Sequence, residues 1–441
     1  MIDKAVVLLS APSRVSPLVR LGGLTLLQRL LYTARWAGIR KGVVLAMTAP
    51  DPDAERLVRE DPKISSFVFF ELGGGKESAV FRELEDCLQG DLAVLSTEWI
   101  LDRVFLRDLL NRPEPLLRPV LVRGETPAAG MESTKVFPAV SLVPAGAVPS
   151  LKEALLSEEP VEAAAEFLNS LPDSERLEPR EPALIPIRGS NPQELEKARK
   201  SLFQSLIKPT ESYLSKTLER RISLSITRRL VDTAVTPNQV SLVSICMGLV
   251  SGWLFLGSHR LHHVAGALLL WLSSVIDGCD GEIARLKFQE SRIGSVLDFL
   301  GDNLVHIAVF FCIGFGLYKR GEGSVYLALG ILAALGTLAT ASAVFWRVFL
   351  RGGSEGIITF STPVRVEEAA SAGDGLRRKI EFADKISNRD FIYLIAALSL
   401  VNGLWIYAWL SAFGTIFYLA YLLHLYRRMG LLSRASPASS A

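Results

Sequence analysis

Residues 277–302 read DGCDGEIARLKFQESRIGSVLDFLGD, inside a region otherwise dominated by long apolar runs. Asp277, Asp280, Asp298 and Asp302 are four carboxylates where such a region should have none. One ionisable side chain at the centre of a membrane helix costs about 2.5–3.5 kcal/mol, so four cost on the order of 10 kcal/mol. That matches the whole stability of a domain, so positive charge must sit among them. Asp277 and Asp280 are three apart and share a helical face; Asp298 and Asp302, four apart, share another. The connecting turn centres near Gln289, with Asp277 and Asp302 12 and 13 residues away and Asp280 and Asp298 each 9. Two antiparallel helices would bring the four carboxylates to matching heights, a cage for divalent cations with Asp277, Asp280, Asp298 and Asp302 as ligands. Oxygen ligands without organised imidazole or thiolate predict Mg2+ or Mn2+ and argue against zinc. Gly281, Ala284 and Gly294 leave volume beside the metals, and Arg285 at the edge is placed to pair with a phosphate oxygen. Carboxylates, a divalent metal and an arginine together predict phosphoryl-group transfer.

Working outward, residues 237–428 predict an all-α polytopic membrane domain. Six spans are expected, at roughly 238–257, 263–285, 294–317, 324–350, 390–406 and 408–426, each near the length that crosses the hydrocarbon core. Basic residues gather before the first span (RRISLSITRR), between the second and third (RLKFQESR), between the fourth and fifth, and after the sixth (YRR). The positive-inside rule therefore places the N-terminal domain and the site in the cytoplasm, which implies the inner membrane of a cell. Before the first span, Leu214, Leu218, Ile222, Ile226 and Leu230 recur every four residues with Lys216, Arg220, Arg221, Arg228 and Arg229 between them. Residues 208–236 thus predict an amphipathic helix in the headgroup plane, or a charged linker helix packed on protein. Thr236-Pro237-Asn238 breaks it and starts the next helix. His259, His262 and His263 read as a polar loop on the far side. His306, four residues after Asp302, either hydrogen-bonds into the site or packs as a polar residue. Residues 351–389 form a long, weakly patterned loop, expected as a cytoplasmic flap, and 429–441 a disordered tail.

Residues 1–207 differ in kind. KAVVLLS, GVVLAMT, SSFVFFEL and DLAVLSTEW predict strands. LGGLTLLQRLLYTARWAG, PDPDAERLVRE and NPQELEKARKSLFQSL predict helices, the last capped near Asn191. The alternation predicts an α/β domain with a mostly parallel sheet covered on both faces. GGGKES has the wrong spacing for a phosphate-binding loop and reads as a surface turn. With 48 basic and 46 acidic residues, no nucleic-acid partner is suggested. Cys87, Cys246, Cys279 and Cys312 lack metal or redox spacing, and IDKAVVLLSAPSR lacks a basic leader, so no secretory signal is expected.

Two resemblances add to this. The N-terminal half resembles a sugar-nucleotidyltransferase domain in its opening strand, its LVRLGGLTLLQRLL segment and its late helix. That family holds nucleotide phosphates with a glycine-rich loop carrying an arginine, then a Pro-Lys pair. LSAPSRVSPLVRLGG is shortened and lacks that loop, and Ser96, Thr97 and Glu98 stand where a metal-binding aspartate is expected. The resemblance therefore implies a catalytically degenerate domain; the alternative is residual cytidylyltransferase activity. The second half matches D-x2-D-G-x2-A-R-x8-G-x3-D-x3-D at Asp277, Asp280, Gly281, Ala284, Arg285, Gly294, Asp298 and Asp302, and is identified as a member of the CDP-alcohol phosphotransferase family. The full layout is similar to bifunctional inositol-phosphate cytidylyltransferase/di-myo-inositol-phosphate-phosphate synthases.

This resemblance implies metal ligation by Asp277, Asp280 and Asp298, with Asp302 beside the metals as general base. It also implies a CDP site lined by Asp277, Gly281, Ala284, Arg285 and Gly294, and a homodimer. The donor would be a CDP-alcohol of the CDP-diacylglycerol or CDP-inositol type and the acceptor a polyol or polyol phosphate, in phospholipid or phosphodiester synthesis. Arg347, Arg351, Arg377, Arg378, Lys379 and Arg389 are candidate cations for a phosphorylated acceptor, Arg389 foremost. Two other classes remain. An ion-coupled transporter is opposed by the absence of broken helices and internal repeats. A binding protein with a decayed catalytic half is opposed by the intact eight-position motif.

Overall fold

Short β-branched and leucine-rich runs set the N-terminal half. The computed structural model describes residues 2–9, 16–46, 52–71, 89–113, 115–122, 138–155, 157, 160–171, 174–177, 184–187, 192–207, 218–347 and 391–434. The expectations for Asn191, GGGKES, Cys87, residues 208–217, the 351–389 loop, Arg389 and the last seven residues lie outside them. The chain divides into two units, Met1–Leu206 and Ile207–Ala441.

In the first unit, β1 (Lys4–Leu9) pairs in parallel with β4 (Lys41–Ala46) and β6 (Leu92–Ser96), and β4 pairs in parallel with β5 (Phe67–Glu71). β8 (Val120–Val122) and β10 (Glu175–Leu177) continue the sheet in parallel, and β9 (Val140–Val143) runs against both β6 and β8. The seven-strand order is β10-β8-β9-β6-β1-β4-β5, so the sheet is mostly parallel, as its sequence predicts. Val6, Leu8, Val43, Leu45, Leu92 and Val94 pack under helices α4 (Val148–Leu155) and α5 (Pro160–Ser170). Ala5, Val7, Val44, Ala93 and Leu95, on the other face, are buried too, the pattern of a sheet covered on both sides.

LGGLTLLQRLLYTARWAG is not helical throughout. Its first residues make a hairpin of β2 (Arg20–Leu21) and β3 (Leu24–Thr25), because Gly22 and Gly23 take positive φ. Thr25 then caps α1 (Leu26–Ala37) through a capping box with Gln28. Buried Arg29 donates to the Leu21 and Gly22 carbonyls at 2.8 and 3.1 Å, and burial pulls its pKa down to about 10. DLAVLSTEW likewise breaks after β6, resuming as β7 (Trp99–Leu101) paired with β11 (Leu184–Pro186).

The second unit is helical: α7 (Arg220–Leu230), α8 (Pro237–Leu254), α9 (Arg260–Lys287), α10 (Arg292–Lys319), α11 (Ser324–Phe345), α12 (Phe391–Leu400) and α13 (Leu404–Arg434). Among the described residues four helices, α9, α10, α11 and α13, are long and apolar enough to cross a membrane. The first expected span, α8, opens with polar Pro237-Asn238-Gln239 and is not one of them. The fifth, α12, has 10 residues among those described and ends early, because Asn402 at φ 55 and Gly403 turn the chain before α13. α13 continues to Arg434, past the expected boundary at 428.

α9 and α10 form the expected hairpin, with Phe288 in the left-handed conformation ending one helix and Ser291 capping the next. α9 packs chiefly on α8, and α10 on α11 and α8, rather than on each other. Glycines permit this: a Cβ on Gly301 of α10 would lie 2.2 Å from Ile245, and one on Gly248 of α8 2.6 Å from Val305. Ser251 Oγ donates to the Gly266 carbonyl at 2.8 Å, joining α8 to α9.

Candidate active site

The space between α9 and α10 holds the expected carboxylates. Oxygens of Asp277, Asp280 and Asp298 lie within 4.8 Å of one another, two from α9 and one from α10. Asp277 and Asp280 are only 8% and 9% exposed, and Asp298 is half-buried. Three negative charges this close and this dry repel one another unless a cation joins them. A donor set made only of carboxylate oxygen fits Mg2+ or Mn2+. Asp302, also expected as a ligand, falls outside this trio. It lies one turn farther along α10, where it lines a small cavity with Asp277, Ser244, Ser273, Ser274 and His306. The cavity measures about 20 Å3, room for one water among several polar partners.

His306 packs, one of the two roles expected of it. Its ring lines this cavity, lies edge-on to Phe391 at 5.1 Å and stacks on Phe310 at 6.1 Å. His263, at the opposite end of α9, sits 2.9 Å from the Gly257 carbonyl and 2.7 Å from Arg320, a polar joint well away from the carboxylates.

The small residues behave unequally. A Cβ on Gly281 would meet nothing closer than the Arg285 guanidinium at 3.7 Å, so the surface there is open. Ala284 and Arg285 follow on the same helix, both half-buried. Gly294 does not leave open volume: a Cβ there would come within 3.1 Å of both Asn238 Oδ1 and Ser291 Oγ. Its bareness admits the α8 side chain. Of the acceptor candidates, Arg347 stacks over Tyr426 with its guanidinium carbon 4.7 Å from the ring centre. Arg351, Arg377, Arg378, Lys379 and Arg389 lie outside the described residues.

Two groups of residues escaped the sequence reading. On α8, Ser241 Oγ donates to Asp280 Oδ2, and Ser244 Oγ, whose shorter bond is to the Ser241 carbonyl at 2.8 Å, lies 3.4 Å from Asp277 Oδ1. These hydroxyls orient the carboxylates from behind. Ser241, Ser244, Gly248 and Ser251 recur at three- and four-residue intervals, a small-residue face that periodicity alone could have flagged. The second is Glu282, fully buried at 0% exposure beside the motif's fixed positions. No spacing rule marks it.

In the first unit, Ser96, Thr97 and Glu98 are all buried in the turn between β6 and β7. Thr97 Oγ1 donates to the Leu8 carbonyl at 3.4 Å and the Glu98 amide to Ser96 Oγ at 3.2 Å. The turn is tied to β1 through Leu8 and to itself through Ser96.

Residues 234–417 match the family model described as CDP-alcohol phosphatidyltransferase. The bifunctional IPC transferase and DIPP synthase of Thermococcus kodakarensis is 31% identical over 148 residues, 33% of this chain and 32% of that protein. The chain thus aligns with about a third of that relative's length. Among solved structures, the inositol-1-phosphate CTP transferase of T. maritima is similar at a TM-score of 0.34 and 13% identity, over 45% of this chain and 96% of that one. The phosphatidylinositol phosphate synthase of Mycobacterium tuberculosis, with CDP-DAG bound, is similar at a TM-score of 0.30 and 20% identity, over 46% and 94%.

Proposed function

We propose that the chain is an integral-membrane CDP-alcohol phosphotransferase, which moves the phospho-alcohol of a CDP-alcohol onto an acceptor hydroxyl and releases CMP. The observation that carries this reading is the trio Asp277, Asp280 and Asp298 within 4.8 Å, beside the open backbone at Gly281. The family match over 234–417 includes all of them.

Asp277, Asp280 and Asp298 would hold Mg2+ or Mn2+, which supplies positive charge for the phosphate oxygens. Asp302, outside the trio, would accept the proton of the acceptor hydroxyl. That oxygen forms the new bond to the phosphorus bearing the alcohol, the bond to CMP breaks, and the proton rests on Asp302. Arg285, next to the open face, pairs with a phosphate oxygen of the donor, and Asp277, Gly281 and Ala284 line the nucleotide side. Gly294 acts through Asn238, which it lets approach. Arg389 is the proposed contact for an acceptor phosphate. The donor is of the CDP-diacylglycerol or CDP-inositol type, and the acceptor a polyol or its phosphate.

The same reading places six helices in the inner membrane, with α8 and α12 completing the set. Residues 208–236 lie at the interface, the N-terminal domain (1–207) and the site face the cytoplasm, and two copies pair as a homodimer. The N-terminal domain is proposed to be a degenerate nucleotidyltransferase, supported by the buried turn at Ser96, Thr97 and Glu98, which is hydrogen-bonded to β1 and within itself.

The test is CMP release by the detergent-purified full chain from labelled CDP-diacylglycerol or CDP-inositol with a panel of polyols. Release is expected with Mg2+ or Mn2+ and is lost with EDTA. No release from any CDP-alcohol by metal-loaded protein overturns the reading.

A further inference from the structure

Glu282 belongs to the motif helix but turns away from the site. At 100° per residue, Asp277, Asp280, Gly281 and Ala284 cluster on one side of α9, and Glu282 falls opposite with Gly278, Cys279 and Leu286. Its carboxylate is met from behind by one stripe of α7. Arg220 Nη1 and Ser223 Oγ donate to Oε1, each at 2.7 Å, and Thr227 Oγ1 donates to Oε2 at 2.6 Å. Ser223 and Thr227 are themselves buried at 2% and 0% exposure, and the Arg220 side chain is 17% exposed. Gly278 makes the approach possible: a Cβ there would lie 3.2 Å from Arg220 Nη1. The attachment extends to both sides. Tyr393 of α12 donates to Glu219 at 2.8 Å. Lys287 at the end of α9 donates to the Thr233 and Val235 carbonyls at 2.8 and 3.3 Å.

A buried ion pair adds little stability over apolar packing of equal volume. What it adds is direction. Leucines would let α7 and α9 slide or rotate against each other, whereas three donors converging on one carboxylate are satisfied in one register and one rotation. We infer that Glu282, held by Arg220, Ser223 and Thr227, is a positioning residue that fixes the rotation of α9 and so aims Asp277, Asp280 and Arg285 into the site. The inference rests on the proposed reading of those three residues as metal and phosphate contacts.

The experiment compares full-length Arg220→Met, Glu282→Gln and the double variant in detergent. Two readouts are taken: Mn2+ affinity by electron paramagnetic resonance, and kcat and KM for CMP release. Arg220→Met strips the countercharge from a buried carboxylate. It is expected to weaken Mn2+ binding and lower kcat, each about 10- to 100-fold, with a smaller change in KM. The double variant, in which an amide replaces the uncompensated charge, recovers most of both losses. Folded Arg220→Met with wild-type Mn2+ affinity and kcat overturns the inference, as does a loss of folded protein with those two values intact. Should Arg220→Met fail to fold, Thr227→Val keeps the ion pair and removes one bond. A several-fold loss in the same two readouts is then expected, and no loss overturns the inference. Wild-type protein that binds Mn2+ but releases no CMP defeats the proposed reaction, and the Mn2+ affinities still decide the role of Glu282.

Discussion

Helix α9 carries two acidic clusters back to back. On one side Asp277 and Asp280 meet Asp298, three carboxylates within 4.8 Å. On the other, Glu282 meets an arginine and two hydroxyls at 2.6–2.7 Å. Both are anionic. The second is paired with an arginine of the chain itself, and the first is the one proposed to take a cation from outside. The sign of the neighbours, not burial, separates a ligand site from a joint.

This contrast is strongest where the outside charge can be removed. Chelation with EDTA, or Asp280→Asn, is expected to bring CMP release to background, a loss on the order of 10³-fold or more, with Mg2+ or Mn2+ restoring the chelated wild type but not the variant. Next, Asp302→Asn is expected to lower transfer about 10³-fold, as for a lost general base, while binding of the CDP-alcohol measured by calorimetry persists. Wild-type turnover in that variant removes the base role. Weaker still is Ser244→Ala, which takes one hydroxyl from Asp277: Mn2+ affinity should fall about tenfold, against no change for Ser225→Ala on the exposed side of α7.

The smallest effect belongs to an exposed pair. Arg112 forks onto Glu175 at 2.9 and 3.2 Å, and its hydrogen bonds and charge hold that carboxyl below its ordinary value of 4.5. A depressed folded pKa stabilises the fold above about pH 4.5 and loses that contribution as pH falls through the folded value. Half-exposed Glu175 makes this worth at most ~1 kcal/mol. Arg112→Ala should therefore flatten only slightly the fall of Tm below pH 4.5.

What could be read from the sequence, and what could not, follows the same division. The helical hairpin was legible, because period and spacing around Gln289 are local facts; so were the parallel strands, as apolar runs between helices. The donors to Glu282 were not, since they lie 55 to 62 residues away in the chain. Nor were Ser241 and Ser244, 39 and 33 residues from their carboxylates. Arg220 was read as one of a row of surface charges, and only the packing of α7 on α9 turns it inward. The hairpin at 20–25 was missed for a local reason: Gly22-Gly23 was absorbed into a leucine-rich helical pattern although Thr25 and Gln28 form a capping box.

Helix α8 has one more consequence. It seats α10 through contacts so tight that Gly248 and Gly301 admit no side chain, and α9 through the close approach of Gly266 to the Ser251 carbonyl. It works as a shim, and its thickness sets how far Asp298 stands from Asp277 and Asp280. Mg2+ holds oxygens at about 2.0–2.1 Å and Ca2+ at about 2.3–2.6 Å, a difference smaller than one methyl group. On the proposed reading, the gauge for a divalent ion would thus be cut in apolar glycine contacts, at positions that do not touch it.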